Sequence, residues 1–251
     1  MNVSVVSGLA FGPGGQRLDV YSPTDSLEAR QPECPIVLLW HGRGPDERDV
    51  LAPLAMATAA SGVVCVVPDW RPDAPDLGRT HLRESALFVQ QHGGDFGGDV
   101  SRTTLAGWSL GGKTAVGAAL DAAALDGWRP QAVVAIAGGY SSADPLTRQV
   151  AMDRLAGAGA LAEPIPVHLV HGTADVLVDI ERSRLLHAAL RDRDWPCTLT
   201  ELDGADHAGV VMTVYDPEAR RCQATDAEHV LRAGHQTAQV IARAATSPSG
   251  P

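Results

Sequence analysis

Lysine is almost missing from this 251-residue chain: Lys113 is the sole example, and arginine carries the rest of the positive charge. We read that scarcity as compositional bias without chemical meaning. Positive charge as a whole is also short, 20 Lys and Arg against 30 Asp and Glu, for a net charge of -10. A nucleic acid or an anionic membrane surface needs a basic face, so neither is expected as a partner. The longest apolar runs are strand-sized, which excludes a membrane-spanning helix. Met1 to Leu9 lacks both the basic n-region and the long apolar h-region of a secretory signal, so a cytoplasmic location is expected. The four cysteines, Cys34, Cys65, Cys197 and Cys222, show neither CxxC nor metal spacing. Cys65, inside Val63 to Val67, reads as a buried thiol, and reduced cysteines suit that compartment. Spacing alone leaves a Cys197–Cys222 bridge open. His81, His92, His168, His187, His229 and His235 have no ligand-like pairing with carboxylates, so no metal site is expected. Repeats, low-complexity blocks and linkers are lacking too. One domain over 1–246, with 247–251 as a disordered tail, is the expected organisation.

What is present is an alternation of short apolar runs with helical patterns. Residues 3–7 and 17–21 read as a hairpin turning at Gly12-Pro13-Gly14-Gly15, and 24–33 as a polar loop. Buried strands are predicted at 36–40, 63–67, 103–106, 132–137, 167–170 and 198–202. Helices are predicted over 50–60 with Asp49 as cap, 80–92, 113–124, 146–162 and 180–191, and from an Asp226 cap to about 245. Residues 205–225 read as irregular. Such alternation implies an α/β fold: a mostly parallel central sheet, helices on both faces and an antiparallel hairpin at the N-terminus. Ligands of such sheets bind beyond the carboxyl ends of the strands. The 140–166 segment is the candidate lid, too short for a large cap domain.

One stretch organises the rest. Leu105-Ala106-Gly107-Trp108-Ser109-Leu110-Gly111-Gly112 places Gly-x-Ser-x-Gly between a strand and an Ala-rich helix. A strand turning straight into a helix brings both arms against the serine, so Gly107 and Gly111 have no room for a Cβ. A serine hydroxyl needs a base within hydrogen-bond reach, and the base needs a carboxylate to fix its tautomer. Past the ends of the second and third strands that follow this stretch stand Asp175, in His171-Gly172-Thr173-Ala174-Asp175, and His207, in Gly204-Ala205-Asp206-His207. Asp175 also suits a helix cap, and Asp144 is an alternative acid. Asp203 and Asp206 lie too near His207 in sequence to aim at its far nitrogen. An attacked carbonyl also needs N–H donors for its oxyanion. Leu110, at the helix start, and Gly42 and Arg43, in His41-Gly42-Arg43-Gly44, are the candidates, with His41 itself structural.

On these residues the chain resembles the α/β-hydrolase superfamily over about 17–245. It is most similar to small carboxylesterases and to the dienelactone hydrolase and acetyl-xylan or feruloyl esterase groups. Leu18-Asp19-Val20-Tyr21-Ser22-Pro23 is similar to their LDVY-x-P opening, 41–44 to their HGGG loop and Asp69-Trp70-Arg71 to D-Y-R. Residues 171–175 and 204–207 are similar to HG-x-x-D and GA-x-H. The resemblance implies nucleophile Ser109, acid Asp175, base His207 and oxyanion donors among Gly42, Arg43 and Leu110. The implied activity is hydrolysis of a small-molecule carboxylic ester, lactone or thioester through an acyl-enzyme, without a cofactor. Its pH–rate profile is expected to rise with deprotonation of a histidine near neutrality. Acyl transfer, cyclisation or lyase chemistry on the same fold, or plain ligand binding, are the alternatives. Trp108, Arg43, Tyr140 and Val176 are the expected substrate-pocket residues, with Trp108 walling one side of the serine. Arg43, which replaces a glycine, is expected to favour anionic substrates. Residues 210–225, with Tyr215, Arg220 and Arg221, exceed what a minimal hydrolase needs.

Overall fold

The computed structural model describes residues 1–24 and 34–247. All but Thr24 of the expected 24–33 loop, and all but Ser247 of the expected tail, lie outside the described residues. Strands β1 (Val3–Phe11), β2 (Gln16–Pro23), β3 (Cys34–Trp40), β4 (Val64–Pro68), β5 (Gly98–Trp108), β6 (Ala132–Ile136), β7 (Val167–Gly172) and β8 (Cys197–Leu202) build one sheet. Their order in space is β1-β2-β4-β3-β5-β6-β7-β8. The β1–β2 and β2–β4 pairs are antiparallel and every other neighbouring pair is parallel.

The interior strands are apolar on both sides because both faces are covered. Along β3, Ile36, Leu38 and Trp40 join one core, while Val37 and Leu39 join the other. The first core lies under α2 (Arg79–His92), α3 (Leu110–Leu120), α4 (Ala151–Ala156) and α5 (Glu181–Arg191). The second lies under α1 (Ala52–Ala59) and α6 (Glu228–Thr246). No described helix is long and apolar enough to cross a membrane. All four cysteines are unbridged.

Four local expectations are corrected. Asp49 does not cap α1; it sits in a 3-10 turn, Arg48–Leu51, ahead of the helix, and its Oδ1 accepts a bond from Arg221 at 2.7 Å. Asp226 does not cap α6, whose N-cap position is Ala227 and makes no side-chain bond. The 146–162 segment is helical only in α4. Buried Asp144 pulls the residues that follow it into a turn, its Oδ1 accepting the N–H groups of Leu146 and Thr147 at 2.8 Å each, and the chain leaves the helix at Gly157. The stretch after His207 is ordered as a 3-10 turn, Gly209–Val211, and a hairpin of β9 (Thr213–Asp216) and β10 (Arg221–Ala224). Those strands have four residues each, too few to show an alternation in sequence.

Candidate active site

The β5–α3 junction is as tight as its glycines suggested. A Cβ on Gly107 would collide with the backbone of Gly111, and one on Gly111 with the carbonyls of Trp40 and His41. Helix α3 therefore starts against the carboxyl end of β3. Ser109, between the two arms, takes φ 56° and ψ -113°. That is a strained conformation for a residue with a side chain, of the kind held only where the surroundings over-determine it.

The end of β7 leads to Asp175 and the end of β8 to His207, and the two side chains meet Ser109. His207 Nε2 lies 3.0 Å from Ser109 Oγ, and His207 Nδ1 lies 2.7 Å from Asp175 Oδ2. The partners assign the tautomer: Nδ1–H donates to the carboxylate, leaving Nε2 to accept from the hydroxyl. Asp175 does not cap the helix that follows, whose N-cap position is Ile180 and makes no side-chain bond; its other oxygen holds its own turn. Oδ1 accepts the N–H groups of Leu177 and Val178 at 2.9 Å each. Burial raises the pKa of Asp175, but bonds from His171, His207 and the Val178 N–H outweigh that and hold it well below the usual carboxylate range. Asp144 is engaged by Leu146 and Thr147 instead. Asp206 accepts from Gly209 N–H at 2.6 Å, and Asp203 from Thr173 Oγ1 at 3.3 Å.

His171 was missing from the sequence reading as a site residue, although it stands four places before Asp175. It is fully buried. Its Nε2 faces Val178 O at 2.8 Å and Asp175 Oδ2 at 3.2 Å, and its Nδ1 faces Ser183 Oγ at 2.7 Å. It thus joins the acid to α5. Trp108 is corrected: it does not line the cavity beside Ser109. The alternation along β5 sends it to the face under α6, with Ala106, where its Nε1 donates to the carbonyl of His207 at 2.9 Å and its ring stacks obliquely 5.2 Å from the imidazole. Trp108→Phe keeps the packing but removes that bond. Thermal denaturation is expected to show a loss of about 1 kcal/mol, together with a several-fold fall in kcat.

His41 is structural, as expected, and organises the neighbouring loop. Its Nδ1–H donates to Gly42 O at 3.2 Å, while Nε2 accepts the N–H groups of Glu47 and Trp70 at 3.2 and 3.1 Å. A trans peptide points its C=O and N–H in opposite directions. With the Gly42 carbonyl turned to His41, the Arg43 N–H therefore points away from that ring. Gly42 itself is pressed between its neighbours: a Cβ there would lie 3.1 Å from the Trp108 ring and 3.5 Å from Ser109 Cβ. The Leu110 N–H opens α3 and has no acceptor within its own helix.

Burial pushes the pKa of His41 down to about 3, against a weaker opposing contribution from its bond to Gly42. The folded ring stays neutral where the unfolded one takes up a proton. Its contribution to stability is therefore complete above about pH 6.5, falls as the pH drops towards 3, and amounts to up to about 5 kcal/mol. Urea denaturation at stepped pH is expected to show this loss, and His41→Gln to be less stable at pH 7 with a flatter acid limb.

A cavity of about 450 Å³ opens beside Ser109. Of the expected pocket residues, Arg43, Tyr140 and Val176 line it; Tyr140 is buried in its floor and Val176, 92 % exposed, stands on its rim. Lys113 and Arg182 line it too, so the single lysine has a place in the site that its rarity did not suggest. Tyr215, Arg220 and Arg221 do not line it. Among the described residues no cluster of His, Cys, Asp or Glu is arranged to hold a metal ion.

No protein-family model and no curated protein sequence matches the chain. Solved structures do. A proposed dienelactone hydrolase from Klebsiella pneumoniae superposes with a TM-score of 0.68 at 18% identity, covering 98% of this chain and 100% of its own. An esterase from Pyrobaculum calidifontis gives 0.66 at 20% identity over 99% and 86%. A thermostable esterase from Pseudomonas putida gives 0.67 at 17% identity over 98% and 84%. At these identities the likeness is one of fold.

Proposed function

From its α/β-hydrolase fold and the side chains gathered at one end of the sheet, we propose that this chain is a serine hydrolase of small-molecule carboxylic esters. One observation carries the reading: a single imidazole bonds the Ser109 hydroxyl at 3.0 Å with one nitrogen and the buried Asp175 carboxylate at 2.7 Å with the other. Ser109 Oγ attacks the ester carbonyl as His207 Nε2 takes its proton. Asp175, ionised throughout the working range, stabilises the imidazolium without taking the proton itself. The oxyanion is received by the amides of Arg43 and Leu110, each worth roughly 2.7–4 kcal/mol of barrier. Gly42 contributes by lacking a side chain that would keep the loop from Ser109. His207 then protonates the leaving alcohol, and water activated by the same ring releases the acid.

Labelling with a fluorophosphonate tests this. The phosphonyl adduct is expected on the peptide containing Ser109, at one equivalent per chain, with parallel loss of hydrolysis of p-nitrophenyl acetate. An unlabelled serine in folded protein overturns the reading.

A further inference from the structure

The charge around the cavity runs against the charge of the chain. Acidic residues outnumber Lys and Arg by 30 to 20 overall, yet three cations, Arg43, Lys113 and Arg182, line this cavity with Asp179 as the sole carboxylate among its lining residues. Elsewhere Arg48, Arg71, Arg184 and Arg221 are matched to carboxylates, and Arg129 and Arg193 donate to backbone carbonyls. The three at the cavity are not matched to carboxylates: none has one within 4.0 Å among the described residues. Hydroxyls hold two of them. Lys113 Nζ donates to Ser142 Oγ at 2.6 Å, and Arg182 donates to Ser141 Oγ at 3.0 Å. A hydroxyl orients a cation without neutralising it. Asp179 is committed in part to its own turn, its Oδ1 accepting the Glu181 N–H at 2.9 Å.

Lys113 stands one helical turn after Ser109, and its N–H bonds the Ser109 carbonyl at 3.0 Å. It is half-buried, and burial, then the nearby Arg43, lower its pKa, with Asp144 opposing from behind. Two cations thus face one cavity with their mutual repulsion only partly offset by Asp144, although the proton transfer from Ser109 to His207 needs neither. Such a pair is stabilised when an anion comes between them.

Resting on the hydrolase reading, we propose that the cavity selects esters carrying a carboxylate near the reacting carbonyl, bound by Arg43 and Lys113 with Arg182 at the rim. The ester bond breaks as in the neutral case, and the carboxylate is a handle that does not react.

The test compares kcat/KM for monomethyl glutarate and methyl pentanoate by proton release, alongside glutarate binding by calorimetry. At low ionic strength the anionic ester is expected to be preferred at least tenfold, and the preference to shrink several-fold in high salt as the charges are screened. The double variant Arg43→Gln/Lys113→Gln is expected to bring the ratio close to one and to weaken glutarate binding at least tenfold, while Lys113→Arg keeps the preference. No preference in the native protein, or a ratio untouched by the double variant, overturns the proposal and leaves the hydrolase reading standing. If the cations act only on the oxyanion, both esters slow together and the ratio again stays put. If neither ester is cleaved, the hydrolase reading fails. Glutarate binding then decides alone, cation-dependent binding supporting an anion site and its absence or indifference to the variants overturning one.

Discussion

Ser109→Ala is expected to lower kcat for p-nitrophenyl acetate by about 10⁶, His207→Ala by about as much, and the double variant no further than either. The reason is that in the proposed mechanism the two side chains perform one act. Without the hydroxyl there is no nucleophile to deprotonate, and without Nε2 3.0 Å away the hydroxyl holds its proton. The amides proposed to receive the oxyanion belong to the backbone and survive both changes, so some catalysis over water is expected to remain. Steady-state hydrolysis at matched concentrations of folded protein measures all three variants. Additive losses, or a single loss of less than about a hundredfold, would show that the reaction runs through other groups.

Asp175→Asn is expected to cost about 10⁴ in kcat with little change in secondary structure. The carboxylate accepts from His207 Nδ1 and faces His171 Nε2 with the same oxygen, while its other oxygen takes two backbone N–H groups. An amide can keep its carbonyl on the backbone donors only by turning its NH₂ towards His207. His207 must then move its proton to Nε2, where it can no longer accept from Ser109. Asp144→Asn is the control, because Asp144 bonds its own turn and not His207; its kcat should be essentially unchanged. A large fall for Asp144→Asn with a small one for Asp175→Asn would reverse the assignment.

Much of this architecture is legible from residues alone. A strand covered on both sides is apolar at every position, as Ile36 to Trp40 is, and that needs no tertiary knowledge. Gly107 and Gly111 betray the sharp junction because nothing larger fits. The failures have causes of the same kind. Asp49 and Asp226 have the right chemistry for caps, but Asp49 answers a distant cation, Arg221, and no side chain caps α6. Trp108 could have been placed by counting twos from Leu105, which puts it on the same face as Ala106 and away from the elbow helix. His171 has a neighbour at four residues that the sequence shows, but its bond to Ser183 depends on how α5 packs. Lys113 is legible as well: four places along a helix from the candidate nucleophile is one turn, a more informative fact than the frequency of lysine.

The positive φ at Ser109 has a consequence for how such a protein persists. At that position a glycine would suit the backbone better, so what folding alone favours and what the proposed reaction demands point to different amino acids. The disagreement is sustained by the sheet on one side and the helix on the other, whose packing would hold the corner in shape whichever residue occupied it. A scaffold of this kind could lose the proposed chemistry and remain well folded, so that a Ser109→Gly variant is expected to keep the fold without the nucleophile.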